Sequence, residues 1–234
     1  MIATYINCIL VLVGSAMGLL LKNRIGARFM AAMHSAMALC VMGIGISSAV
    51  KTEHTLCVIL CMVVGTCLGV ALRIEQRLDA LGDWIQKKVV KKGDTSKFTE
   101  GFVTAALLYC VGSMAVMGSL EAGINHDYSI LVSKGVIDGV TGISLAATTG
   151  VGVAFSVIPL LLYQGGLTLQ AGLVGPLLTD AMVLEMSAVG GTIILGIGFN
   201  MLFPEKHIPV GNMLPAIFLP IAYLPLAGLL GGLV

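Results

Sequence analysis

The sequence predicts an all-α, polytopic membrane helix bundle with seven or eight transmembrane segments, an internal repeat, and broken helices in its second half. Three observations carry that prediction. Mean hydropathy is +1.01 and only 11% of the 234 residues are charged, too few to coat a soluble domain of this size. Several apolar runs approach the ~20 residues that a helix needs to cross a ~30 Å hydrocarbon core. The charge that exists is concentrated: 12 of the 25 Asp, Glu, Lys and Arg residues lie between Arg73 and Glu100.

The first run, residues 2–21, lacks the basic leader and cleavage site of a secretory signal, so it is read as a retained first span. It ends at the basic turn Lys22-Asn23-Arg24-Ile25-Gly26-Ala27-Arg28. The second span, 29–50, ends at Lys51-Thr52-Glu53-His54, and the third, 55–72, runs into the charged link at 73–98. In that link Ile74, Leu78, Leu81, Ile85 and Val89 recur every three or four residues, with Trp84 on the same face. This is the pattern of an amphipathic helix lying in the membrane interface. Lys87, Lys88, Lys91 and Lys92 would hold anionic headgroups there, at roughly 1 kcal/mol per cation.

A fourth span, 101–120, leads to a turn without Lys or Arg at Glu121–Asp127. The next segment, 129–149, carries Lys134 and Asp138, so both a crossing and a re-entrant course are open to it. The run 151–174 is interrupted at Pro159 and at Tyr163-Gln164-Gly165-Gly166, which reads either as an unwound stretch or as a kinked, continuous helix. Thr148-Thr149-Gly150-Val151-Gly152 is a second break or a tight loop. The run 179–203 contains Glu185, and 208–234 contains Pro209, Pro215, Pro220 and Pro225.

The two ends of the chain share a signature. Met42-Gly43-Ile44-Gly45-Ile46 precedes His54 at the interval by which Leu195-Gly196-Ile197-Gly198-Phe199 precedes His207, and Met33 and Met186 also match. A three-helix repeat at 1–72 would then recur at 151–234, with the link 73–98 and the spans of 101–149 between the copies. With eight spans the copies are inverted; with seven they are parallel. Loop charge favours inversion. The basic turn Lys22–Arg28 matches the cation-free turn Gly175–Asp180, and Lys51–His54 matches Glu205-Lys206-His207, which holds the only cation of the last 100 residues. The three cations after span 1 and the seven between Arg73 and Lys97 place those loops in the cytoplasm and the N-terminus outside.

Ionisable residues at membrane depth cost ~2.5–3.5 kcal/mol at a helix centre and mark function by default. The candidate ion- or substrate-binding residues are Asp138, Thr141, Gln164, Asp180, Glu185 and Asn200. A bland reading stands beside each. Lys134, one turn before Asp138, pairs with it to lower its burial cost. Glu185 serves as a partnered structural carboxylate, and Asp180 favours a helix N-terminus. Asn7, His34 and Asn200 bond between helices. Gly14-x3-Gly18, Gly65-x3-Gly69 and Gly135-x3-Gly139 let helices approach closely. The six cysteines fall in apolar runs and read as small hydrophobes. No metal set, cofactor or hydrolase motif is apparent, and near-neutral charge gives no reason to expect nucleic acid as a partner.

The strings Val132–Thr141, Tyr163-Gln164-Gly165, Leu178-Thr179-Asp180, Met186–Gly191, Leu195–Asn200 and Val210–Pro215 together resemble the YqgA/YdfK-like bacterial integral membrane family. The likeness extends over the whole chain. It implies a bacterial inner-membrane protein, and because the family is catalogued as a domain of unknown function it assigns no role to any residue. The residues themselves point to a small transporter, ion- or proton-coupled, that carries an unknown ion or small solute. A channel, or an assembly or sensory protein docking through the interfacial helix, are the alternatives. An enzyme is not expected. A homo-oligomer in the lipid bilayer is plausible on size.

Overall fold

In a computed structural model the described residues are 1–22, 26–78, 80, 95–203 and 205–229. All their regular elements are helical. They are α1 (Ile2–Lys22), α2 (Ala27–Ala49), α3 (Thr55–Ala71), α4 (Thr95–Cys110), α5 (Ser113–Ile124), α6 (Ser129–Thr149), α7 (Gly152–Phe155), α8 (Val157–Leu169), α9 (Ala171–Val174), α10 (Asp180–Leu202) and α11 (Pro220–Leu229). Short 3-10 helices occur at Gly175–Leu177 and Val210–Phe218. Residues 74–78 are helical as well. The rest of the expected amphipathic link, with Leu81, Trp84 and Lys87–Lys92, lies outside the described residues.

Five stretches are long and apolar enough to cross a membrane: α1, most of α2, α6, α7 with α8, and α10. Two bent pairs raise the number to seven, α4 with α5 at 56° and Val210–Phe218 with α11 at 46°. The 17-residue α3 is apolar but shorter. The segment 129–149, left open by its charges, is one unbroken helix of 21 residues.

Small residues set the course of the chain. Gly14 lies against the backbone of Gly139, and Gly18 against Ile143 and Ala146, so α1 and α6 advance together and run parallel. Gly198 lies against Ala38 and Met42, while Gly45 meets Gly191 and Leu195, so α2 and α10 are antiparallel. Gly65 faces Ala216 and Gly69 faces Asn212, which makes α3 antiparallel to the 3-10 helix Val210–Phe218. A Cβ at Gly14, Gly65 or Gly69 would overlap the partner's main chain, so all three small-x3-small patterns lie at helix contacts. A parallel α1–α6 pair needs an odd number of passes between its members. The α4–α5 pair is therefore a single pass despite its bend, and with α3 the described residues make eight passes through the bundle.

The breaks have local causes. Gly112, at φ +125°, divides α4 from α5 in a conformation that side chains oppose. Gly150, at φ +100°, ends α6 and opens a tight loop into α7. Pro215 within Val210–Phe218 has no amide to donate, and that segment winds as a 3-10 helix. Tyr163-Gln164-Gly165-Gly166 stays helical inside α8, so the unwound alternative is not the one adopted. Pro159 falls in the first turn of α8, where a missing donor costs nothing.

Two apolar clusters organise the bundle. One joins α2, α3, α10 and the 3-10 helix through Val41, Cys61, Val189, Ile193 and Ile217. The other joins α1, α6, α7 and α8 through Val11, Leu145, Val153 and Leu160. Helix α4 contributes Leu107 to the first and Ala105 and Tyr109 to the second.

Candidate functional site

On α6, Lys134 and Asp138 stand one turn apart, and Gly135 and Gly139 between and beside them give α1 access. A Cβ at Gly135 would sit 3.1 Å from the Asn7 Cα, and one at Gly139 would sit 3.0 Å from the Leu10 carbonyl oxygen. This approach carries Asn7 onto Asp138. The Asn7 Nδ2 donates to Asp138 Oδ2 at 3.1 Å and to Gln164 Oε1 of α8 at 3.2 Å. Lys134 Nζ donates to the same Asp138 oxygen, and it lies 5.9 Å from the centroid of the Tyr109 ring of α4. Asn7, Gln164 and Tyr109 are fully buried, and Lys134 and Asp138 are 5% exposed. Four passes thus converge on one ion pair.

The surroundings of the pair are unevenly satisfied. Six buried side-chain polar atoms among the described residues have no hydrogen-bond partner in the protein: Thr4 Oγ1, Asn7 Oδ1, Ser15 Oγ, Tyr109 Oη, Gln164 Nε2 and Thr168 Oγ1. Such a group costs about 1–3 kcal/mol if left dry. All six belong to α1, α4 and α8, the helices around the pair. Thr4 and Thr168 stand one turn from Asn7 and Gln164, while Ser15 lies near Gly142, whose nearest neighbour is the Tyr109 hydroxyl.

The other sequence candidates lie apart from this cluster. Glu185, fully buried on α10, accepts from Thr52 Oγ1 at 2.6 Å, from the Glu53 amide at 2.9 Å and from the His54 amide at 3.1 Å. Those groups precede α3, so the carboxylate caps its N-terminus, where negative charge is favoured. Asn200 clamps the backbone of Ile208, donating to its carbonyl and accepting from its amide, both at 2.8 Å. Thr141 donates to the Ile137 carbonyl of its own helix. Asp180 is exposed at the start of α10, where Thr179 caps the helix by accepting from the Met182 amide. Asp138 and Gln164 are the two candidates brought together. Lys134 and Asn7, read as neutraliser and interhelical bond, do that work inside the same cluster. Tyr109 was missed; a phenol in an apolar run looks like core packing.

A matching device stands at the opposite end of the bundle. Glu75 donates its amide to Asn212 Oδ1 at 3.0 Å, and its Oε2 accepts from the Asn212 amide at 3.1 Å. His207 Nε2 lies 2.9 Å from its Oε1. Between α4, α8 and the 3-10 helix, Phe102, Cys110, Pro159, Tyr163, Leu214 and Phe218 help line an almost wholly apolar cavity of about 340 Å³. Its wall residues Cys110 and Tyr163 adjoin the cluster residues Tyr109 and Gln164 in sequence.

One of two relatives is named as a membrane protein, in keeping with the apolar helices. The chain is 30% identical over 224 residues to "Uncharacterized membrane protein YdfK" of Bacillus subtilis (strain 168), covering 94% of each chain. It is 32% identical over 221 residues to "Uncharacterized protein YqgA" of Escherichia coli (strain K12), covering 93% of this chain and 94% of that one. No solved structure matches. A family model described as "Protein of unknown function (DUF554)" matches residues 2–224, and the chain belongs to that family.

Proposed function

We propose that the protein is a bacterial inner-membrane transporter that couples the passage of a small solute to an ion bound at Asp138, Lys134, Asn7 and Gln164. The observation that carries this reading is the buried Lys134–Asp138 pair set among polar atoms without protein partners. A purely structural ion pair is expected to have its surroundings satisfied, because each orphaned donor or acceptor adds to an already costly burial. Groups that await a partner are what an ion or solute site requires. The apolar cavity beside the cluster gives α4 and α8 room to move against the 3-10 helix.

The architecture supports the same reading. The α2–α10 contacts are reciprocal: Gly45 meets Gly191 and Leu195, and Gly198 meets Ala38 and Met42. Each of these residues is related to its counterpart by the spacing that relates Gly43 to Gly196. Reciprocal contacts of this kind support an inverted repeat, with a two-fold axis in the membrane plane relating 1–72 to 151–234. Inverted repeats around a midplane site recur in secondary transporters. The basic turns then lie in the cytoplasm and the N-terminus outside.

Reconstituted protein, challenged with gradients of small solutes on a solid-supported membrane, should give transient, saturable currents. Asp138→Asn and Lys134→Met should abolish them while leaving the protein folded. Undiminished currents in both variants would overturn the site, and large single-molecule conductances would make the protein a channel.

A further inference from the structure

Resting on that transporter reading, we propose that the coupling ion is a proton, accepted by Asp138, with Lys134 as its built-in counter-cation. The donor set points that way. Both hydrogen bonds into Asp138 Oδ2 come from nitrogen, Asn7 Nδ2 and Lys134 Nζ. A hard metal cation needs several converging oxygens. Here Asn7, the nearest amide, turns its nitrogen to the carboxylate, which leaves its oxygen on the other arm. No group of three His, Cys, Asp or Glu side chains suited to a metal occurs among the described residues.

The step balances without another reactant. A hydronium ion gives its proton to Asp138 Oδ2 and leaves as water. The Lys134 Nζ–H···Oδ2 bond is lost, and the net charge of the site goes from zero to +1. The released ammonium keeps a second seat, because the face of the Tyr109 ring is already 5.9 Å away and attracts cations. Release reverses the exchange.

A route accompanies the acceptor. Thr4 and Thr168 lie on one side of the Asn7–Gln164 bridge, and Tyr109 and Ser15 lie on the other. Each carries a hydroxyl without a protein partner. A hydroxyl both donates and accepts, as relaying a proton requires.

Among the described residues, Lys134 is the one charged side chain bonded to Asp138. From α4 come Tyr109 and Cys110, from α1 Asn7 and Cys8, and from α8 Gln164 and Tyr163, none of which carries charge in its ordinary state. Helix α2 supplies His34, which is engaged at the Met201 carbonyl and lies 3.9 Å from the Glu100 carboxylate of α4. Helix α5 supplies Glu121, which accepts from Asn125. Among the described residues, Lys134 is thus the charge that opposes protonation of Asp138, with Asn7 as a neutral donor to the same oxygen.

Infrared difference spectroscopy of the purified protein in lipid, taken at low minus high pH, tests this without knowledge of the solute. The expected result is a buried carboxylic-acid band that titrates reversibly, does not change when sodium replaces potassium, and is absent from Asp138→Asn. Lys134→Met should keep the band to at least tenfold lower proton concentration, because the carboxylate has lost its counter-cation; Glu185→Gln should leave it unchanged. A sodium-dependent band, or no band that depends on Asp138 or responds to Lys134→Met, overturns the proton assignment. Solute currents that require sodium and ignore pH overturn it too, while leaving the transporter reading intact. A titrating Asp138 band in a protein that passes no solute current overturns the transporter reading instead.

Discussion

Replacing Glu185 separates a helix cap from an ion site. Its carboxylate accepts three hydrogen bonds, from Thr52 Oγ1 and from the Glu53 and His54 amides. Bonds to a charged group are worth about 1.5–3 kcal/mol each, and amides left without a partner add their own cost. Thr52 and His54 are only half-buried and Glu53 is exposed, so water recovers part of the loss. Glu185→Ala should therefore destabilise the protein by about 3–4 kcal/mol. Glu185→Gln keeps one carbonyl oxygen for the two amides and loses the charge, at about 1–2 kcal/mol. For a chain of this length one kcal/mol moves Tm by about 2–4 °C, so alanine should lower Tm by roughly 6–16 °C and glutamine by much less. Thr52→Val should cost about 1–2 kcal/mol in the native background and less beside Glu185→Ala, because both remove the Thr52–Glu185 bond while the His54 amide's bond to Thr52 Oγ1 is lost only with the threonine. Thermal unfolding of the native protein and these four variants in detergent reads all of this. An alanine variant melting within about 2 °C of the native protein would refute the cap.

Other perturbations test the remaining contacts. Asp138→Asn and Lys134→Met should each lower stability by about 3–5 kcal/mol, and the double variant should be more stable than either, since it buries no lone charge; unfolding midpoints decide. Gly45→Leu and Gly198→Leu should each cost about 1–3 kcal/mol or more by forcing α2 from α10, whereas Gly43→Leu, with nothing near its Cβ position, should be close to neutral in the same assay. Cysteines placed at Lys51 and Asp127 should react with an impermeant thiol reagent from one face of the membrane, and those at Arg77 and Lys206 from the other, because the His207–Glu75 contact joins the latter pair's neighbourhoods. Glu75→Ala should speed amide exchange in 210–218 and Glu185→Ala in 55–60, each at its own end; acceleration of both segments by either variant would show that the two caps are not independent.

The spans were legible where a run of apolar residues met a charged turn, as at Lys22–Arg28 and Lys51–His54. They were not legible where a break depends on a single dihedral. Val111-Gly112-Ser113 looks like any other part of an apolar run, yet Gly112 bends the chain there. Tyr163-Gln164-Gly165-Gly166 carries stronger breaking signals and remains helical. Gly165 lies near the Met1 side chain and Gly166 has open space, and α8 keeps its backbone bonded through both. Half of the site was legible for a similar reason. Polar residues at depth are visible one by one, so Asp138 and Gln164 stood out. Which of them meet depends on the α1–α6 seam, whose Gly14, Gly135 and Gly139 look like three of many glycines until their partners are known. Glu185 shows the converse. Its position six residues into α10 reads as depth, but the α2–α3 turn reaches over the helix end and takes up the carboxylate.

Glu75 and Glu185 have one further consequence for a protein that moves. Glu185 comes from the second half of the chain and holds the start of α3 in the first half. Glu75 comes just after the first half's α3 and holds Asn212, at the start of that helix's antiparallel partner. The two clasps sit at opposite ends of the same α3 seam, and each joins one half to the other. Gly65 and Gly69 press the two backbones together between them, so this lobe is fastened along its length. The α1–α6–α8 lobe differs: its unpartnered polar atoms leave its contacts incomplete, and a mostly apolar cavity lies between it and the 3-10 helix. In the transporter reading the clasped lobe is then the frame. The lobe that carries Asp138 is the part that shifts, because among the described residues the buried side-chain polar atoms without protein partners all lie in it or, for Tyr109, against it.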